Sequence, residues 1–80
     1  MEHLVYEVWI LGYNEDDSVN DYEKLIATFE DSDTAQWFAT NYYFGKPNET
    51  PKAKVVVEEV IIEEPYGSAS CVNVLMETEL

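Results

Sequence analysis

Arginine is absent from this chain, and four lysines stand against seventeen aspartates and glutamates in 80 residues. The formal charge of −13 argues against direct binding to nucleic acid, which needs Lys and Arg to displace counterions from phosphates. It opposes anionic membrane surfaces for the same reason. Cysteine is nearly missing: Cys71 has no second cysteine to pair with, so no internal disulfide framework exists. No basic-then-apolar leader is present, and a cytoplasmic protein is expected. No apolar run approaches the roughly 20 residues of a membrane-spanning helix.

The scarce residue types also bear on catalysis. His3 is the only histidine, close to one end of the chain, and no other side chain serves as a base near neutral pH without strong tuning. Carboxylate pairs are so frequent by composition that finding one carries no information. Cys71 beside a turn reads as a small strand residue. The glycines, Gly12, Gly45 and Gly67, are too far apart to cradle a phosphate. The chain is therefore read as non-enzymatic and without a cofactor. The stretch Glu15–Asp21 offers oxygens at Asp16, Ser18 and Asn20. It departs from a calcium loop, which wants glycine where Asp21 stands and glutamate where Ala27 stands, so a solvated acidic loop is expected.

What the chain does contain is apolar: 46% hydrophobic residues, with two Trp, six Tyr and three Phe. That is too much for a solvated acidic tail. Eighty residues allow one domain, 1–80, with a small core, a size at which oligomerisation often supplements stability.

The run LVYEVWILGY, 4–13, is β-branched and aromatic and predicts a strand. Asn14–Asp21 is polar and turn-forming and reads as a loop. YEKLIATF, 22–29, alternates as a strand, with Leu25, Ala27 and Phe29 on one side and Tyr22, Lys24, Ile26 and Thr28 on the other. Glu30–Asp33 supplies N-cap candidates for a helix over about 33–43, whose apolar face is Ala35, Phe38, Ala39 and Tyr42, with Gly45 as its stop. AKVVVEEVII, 53–62, is the most strand-like segment and should be central. Pro65–Ser68 reads as a turn before a last strand, 72–78.

The order ββαββ predicts an α+β domain: a four-stranded, mainly antiparallel sheet with one helix on one face. The expected inner face is Leu4, Tyr6, Val8, Ile10, Leu25, Ala27, Phe29, Val55, Val57, Ile61, Val72, Val74 and Met76. The opposite face then carries Trp9, Leu11, Tyr13 and Ile26, with Leu75 and other apolar residues and glutamates interleaved. A mixed surface of this kind marks an interface, with a partner or with a second copy of the chain.

An excess of one charge attracts surfaces of the other, so a basic protein is the expected partner. Carboxylates at i and i+2 of a strand stand about 6.8 Å apart, close to the separation of neighbouring phosphates on a nucleic-acid strand. Candidates for a phosphate-like surface are Glu7, Glu58 and Glu77 across the sheet, and Glu15, Asp16, Asp17 and Asp21 in the first loop. Glu30, Asp31 and Asp33 at the helix start, and Glu63 and Glu64 before the last turn, extend it. The plain alternative is a solvated acidic shell.

In size, charge and strand-rich makeup the chain resembles the small acidic proteins of bacteriophages and mobile elements, which include DNA-mimic, anti-restriction and anti-CRISPR inhibitors. YEVWILGY, an acidic loop, YEKLIATF and a capped helix are also similar to small uncharacterised proteins of Gram-positive phage genomes. The resemblance implies a protein-binding inhibitor acting in a bacterial host cell; the acidic surface adds the expectation that it occludes the nucleic-acid groove of a basic host protein such as a defence nuclease. The alternative is a self-associating structural or adaptor module of a phage or mobile element, acidic only for solubility.

Overall fold

The Val/Ile run that the sequence marks as central lies in the middle of the sheet. In the computed structural model, which describes residues 2–42 and 45–80, the elements are β1 (Glu2–Tyr13), β2 (Val19–Phe29), α1 (Ser32–Thr40), β3 (Lys52–Glu63) and β4 (Ser68–Glu79). The strands form one antiparallel sheet in the order β2-β1-β3-β4, so the expected ββαββ, α+β architecture holds. β1 and β3 pair without interruption from Glu2↔Glu63 to Tyr13↔Lys52. Residues directly across share a face, which puts Val8, Ile10, Val55 and Val57 on the helix side and Trp9, Val56, Glu7 and Glu58 on the other.

Helix α1 starts where Asp31 accepts hydrogen bonds from the Thr34 amide and hydroxyl, both at 2.7 Å. These satisfy a free donor of the first turn. Ala35 and Ala39 are buried and let the helix approach the sheet closely, while Phe38 and Tyr42 pack at its margin as expected. Phe38 lies between Phe29 and Tyr42, with ring centroids 5.4 and 6.1 Å away. The helix ends at Thr40 with Asn41 as its cap. Gly45, with φ +75°, lies beyond that cap and is not the stop. The expected extension to Tyr43 falls outside the described residues.

The strand alternation read from sequence fails on both outer strands, for one reason. Val8 pairs with Ala27 but Trp9 pairs with Leu25, so Ile26 is an extra residue. Such a bulge turns two successive side chains to one face. Ile26 and Ala27 both pack on the helix-side core, with Tyr22 and Phe29. Leu25, expected inside, is turned out and 43% exposed. In β4, Met76 faces Val57 and Val74 faces Glu58, which makes Leu75 the extra residue. Leu75 and Met76 both enter the core. Val74, expected inside, lies on the far face, 47% exposed. Val72 is a second irregularity, between Cys71↔Val60 and Asn73↔Glu59, and is exposed rather than in the core.

β2 begins earlier than expected, taking in Asn20 and Asp21, and β4 begins at Ser68, taking in residues read as turn or connection. One polar knot fixes the first hairpin against the chain leading into β3. Thr50 is buried, its hydroxyl donating to the Lys52 carbonyl at 2.8 Å and accepting from Asn20 Nδ2 at 2.8 Å. A Cβ on Gly12 would meet Asn20 Oδ1 at 2.6 Å and Thr50 Oγ1 at 2.7 Å. Only glycine fits there.

Candidate functional site

A nine-residue helix covers one face of a sheet built from strands of 11 and 12 residues. The opposite face has no layer on it among the described residues, yet it is not polar. β1 contributes Val5, Trp9 and Leu11, β3 contributes Val56, Val60 and Ile62, and Leu25 and Val74 join from the edge strands. Val56 and Val60 are 1% and 2% exposed. Sequence-expected face residues Trp9, Leu11 and Tyr13 are found here. Ile26 is not, because the bulge sends it to the core.

Carboxylates are set into this apolar surface. Glu7 and Glu58 stand directly across from each other on the two central strands, and Glu77 lies across from Val56 on β4. These three are brought together as the sequence reading expects. Glu23, opposite Leu11, and Glu79, opposite Lys54, join them. Neither was among the expected residues. The signal for Glu23 was hidden by the bulge, which reverses the facing of every β2 residue on its N-terminal side.

Glu7 is held by Trp9, whose indole Nε1 donates to Oε1 at 3.1 Å. Burial, together with the like charges of Glu7 and then Glu23, pushes the Glu58 carboxyl above its ordinary value, with the Cys71 thiol opposing this by donating to it. Cys71 is raised in turn, by desolvation first and then by the Glu58 charge. A thiol shifted upward is poorly nucleophilic at neutral pH, in keeping with its reading as a strand residue.

Comparison with protein-family models, curated proteins and solved structures returns no match. The remaining acidic candidates are therefore located by geometry alone.

Glu15, Asp16 and Asp17 sit in the β1–β2 connection, at the end of the sheet where Tyr13 pairs with Lys52 and Lys54 with Glu79. Glu63 and Glu64 sit at the other end, at the β3–β4 turn, which Gly67 closes with φ +67°. The molecule is 41 Å long, and these two groups lie towards its opposite ends, with Glu7 and Glu58 between them. Glu30, Asp31 and Asp33 flank the helix start on the covered side of the sheet. The single acidic surface read from sequence is thus divided among two ends, a helix terminus and a face.

Several of these carboxylates already have partners in the chain. Asp16 accepts from the Ser18 amide at 3.0 Å and hydroxyl at 2.6 Å, which hold its carboxyl below the usual range. The Thr34 hydroxyl and amide do the same for Asp31. Asp17 pairs with Lys52 at 2.8 Å. Asn20, read as a third oxygen of the loop, is turned to Thr50 and the Tyr22 amide. Among the described residues no cluster of three or more acidic, histidine or cysteine side chains is placed to hold a metal ion. No described helix is long and apolar enough to cross a membrane.

The lysines gather at the loop end. Lys46 donates to the Pro47 and Thr50 carbonyls at 2.9 and 2.7 Å. Lys54 lies 3.9 Å from Glu77 and 4.9 Å from the Tyr13 ring centroid. With Asp17, Glu79 and Leu80 they line an open cleft in which each cation has an internal acceptor. Lys46 and Lys52 are engaged at 2.7–2.9 Å, whereas Lys54, 3.9 Å from Glu77, keeps capacity for a further carboxylate.

Proposed function

We propose that this chain is a non-enzymatic, acidic protein-binding inhibitor. It occludes the basic nucleic-acid-binding surface of a host protein, such as a defence nuclease, in the manner of a DNA mimic. The observation that carries the reading is the fixed acidic end of the sheet. Glu15, Asp16 and Asp17 are exposed on a tight turn, closed by Asn14 N–H to the Ser18 carbonyl at 2.8 Å and Asp17 N–H to the Asn14 carbonyl at 2.9 Å, and Asp21 is exposed just beyond it in β2. Hydrogen bonds from the Ser18 hydroxyl and amide hold the Asp16 carboxyl below its ordinary range. A pre-ordered anionic turn loses little entropy on meeting a basic groove, and its field speeds encounter.

The test is affinity capture from nuclease-treated bacterial lysate, followed by competition on the purified prey. A captured protein should leave the chain as salt rises and should lose its grip on nucleic acid when the chain is added. The double change Glu15→Lys, Asp21→Lys should weaken that complex by about tenfold or more at low salt. A prey with no affinity for nucleic acid, or one indifferent to both salt and the charge reversal, would remove the mimic reading.

A further inference from the structure

The acidic turn leaves the helix-free face unaccounted for, and this face has a charge pattern of its own. Along β3 its outward residues run Lys52, Lys54, Val56, Glu58, Val60. Cations occupy one half and an anion the other, with Val56 between them. Trp9 and Glu77 lie across from Val56 on either side. Rotating such a row by half a turn about an axis through the Val56 level, perpendicular to the strands and parallel to the sheet, lays its basic half over its acidic half.

We infer that the helix-free face packs against the same face of a second copy, as a two-layer β-sandwich in which Lys54 of each chain meets Glu58 of the other. Three observations select this occupant. The pattern is self-complementary, as an interface with two-fold symmetry requires. Lys54 and Glu58 are each about 6.8 Å from Val56 along the strand, so reversal brings them into register. The 41 × 24 Å outline of the molecule also leaves room for the roughly 800 Å² per partner of a stable interface. Sheets stack about 10 Å apart with strands near −30°. That spacing lets Trp9, Leu11, Leu25 and Val74 fill the layer between them, while Glu77 on the outer strand splays to solvent. Glu58, which Glu7 repels within one chain, gains a cation from the other.

The two copies repel at long range, because each carries −13. Salt screens that repulsion over about 8 Å at physiological strength while leaving apolar contacts intact. Self-association should therefore strengthen with salt, the opposite of the basic-partner complex, so the two readings fail separately.

Sedimentation equilibrium from about 50 mM to about 500 mM NaCl tests the inference on the full chain. A dimer that gains with salt is expected. Lys54→Glu and Glu58→Lys should each raise its dissociation constant roughly 30-fold or more. The double swap should restore it, because only a contact between chains reunites positions that lie about 13 Å apart within one. Circular dichroism of each variant separates loss of pairing from loss of fold. A monomer at every salt, a dimer that dissolves as salt rises, or a dimer that the folded single variants leave unmoved would each overturn the inference.

Discussion

Glu58 shows how one side chain can hold a fold-level tension. Its neighbours across the strand and along the sheet are the carboxylates Glu7 and Glu23, and burial adds to their effect. A carboxyl raised in the folded state binds its proton more tightly there than in the unfolded chain. Its contribution to stability therefore falls as pH rises from the ordinary value near 4.5 through the folded value, and the cost is complete above it. Glu58→Gln removes that cost. At a concentration too low for self-association, the variant should melt several degrees higher than the parent at pH 7, with the gain shrinking as pH falls towards the ordinary carboxylate range. Thermal melts at a series of pH values check this, and a variant that melts lower at pH 7 would show that the Cys71 contact outweighs the repulsion. Asp16 and Asp31 act in the opposite sense. Their lowered carboxyls contribute stability that is present above the ordinary value and lost as pH falls through the folded one.

At the scale of elements, the bulges decide which side chains form the core and which form the exposed face. They lie on β2 and β4, the outer strands, where irregular pairing also discourages edge-to-edge association. The bulge at Ile26 makes a sharp prediction about two adjacent residues. Ile26→Ser should destabilise by about 1–3 kcal/mol, because it removes apolar contact from the core and places a hydroxyl there. Leu25→Ser should cost under about 1 kcal/mol in the monomer, since that side chain is already largely in water. Urea denaturation of both variants decides the matter, and strict alternation would reverse their order.

The whole molecule is dominated by its net charge. Seventeen acids on a body 41 × 24 × 17 Å repel one another in the compact state more than in the expanded chain. Raising ionic strength should therefore raise the melting temperature of the monomer at neutral pH, most steeply below about 0.1 M salt, where the screening length is longest. Differential scanning calorimetry at a concentration too low for self-association would measure this directly. A melting temperature indifferent to salt would mean that the acids are spaced widely enough to ignore one another.

The element order, the central place of the Val/Ile run and the α+β class are all legible in the amino-acid sequence. Each of these follows from local signals: β-branched runs, the Asp31 cap, and the helical spacing of Ala35, Phe38, Ala39 and Tyr42. Also legible is that Glu7, Glu58, Glu77, Trp9, Leu11 and Tyr13 share a face, because the two central strands pair without irregularity and Glu77 lies beyond the β4 bulges, where simple alternation survives. Tertiary structure alone decided the facing of Ile26, Leu25, Val74 and Leu75. A bulge is set by how a strand accommodates its neighbour, and no local pattern records it. The dispersal of the acidic residues was likewise decided only in three dimensions. Composition counts charges, but the 12-residue strands hold Glu15 and Glu63 at opposite ends of the sheet.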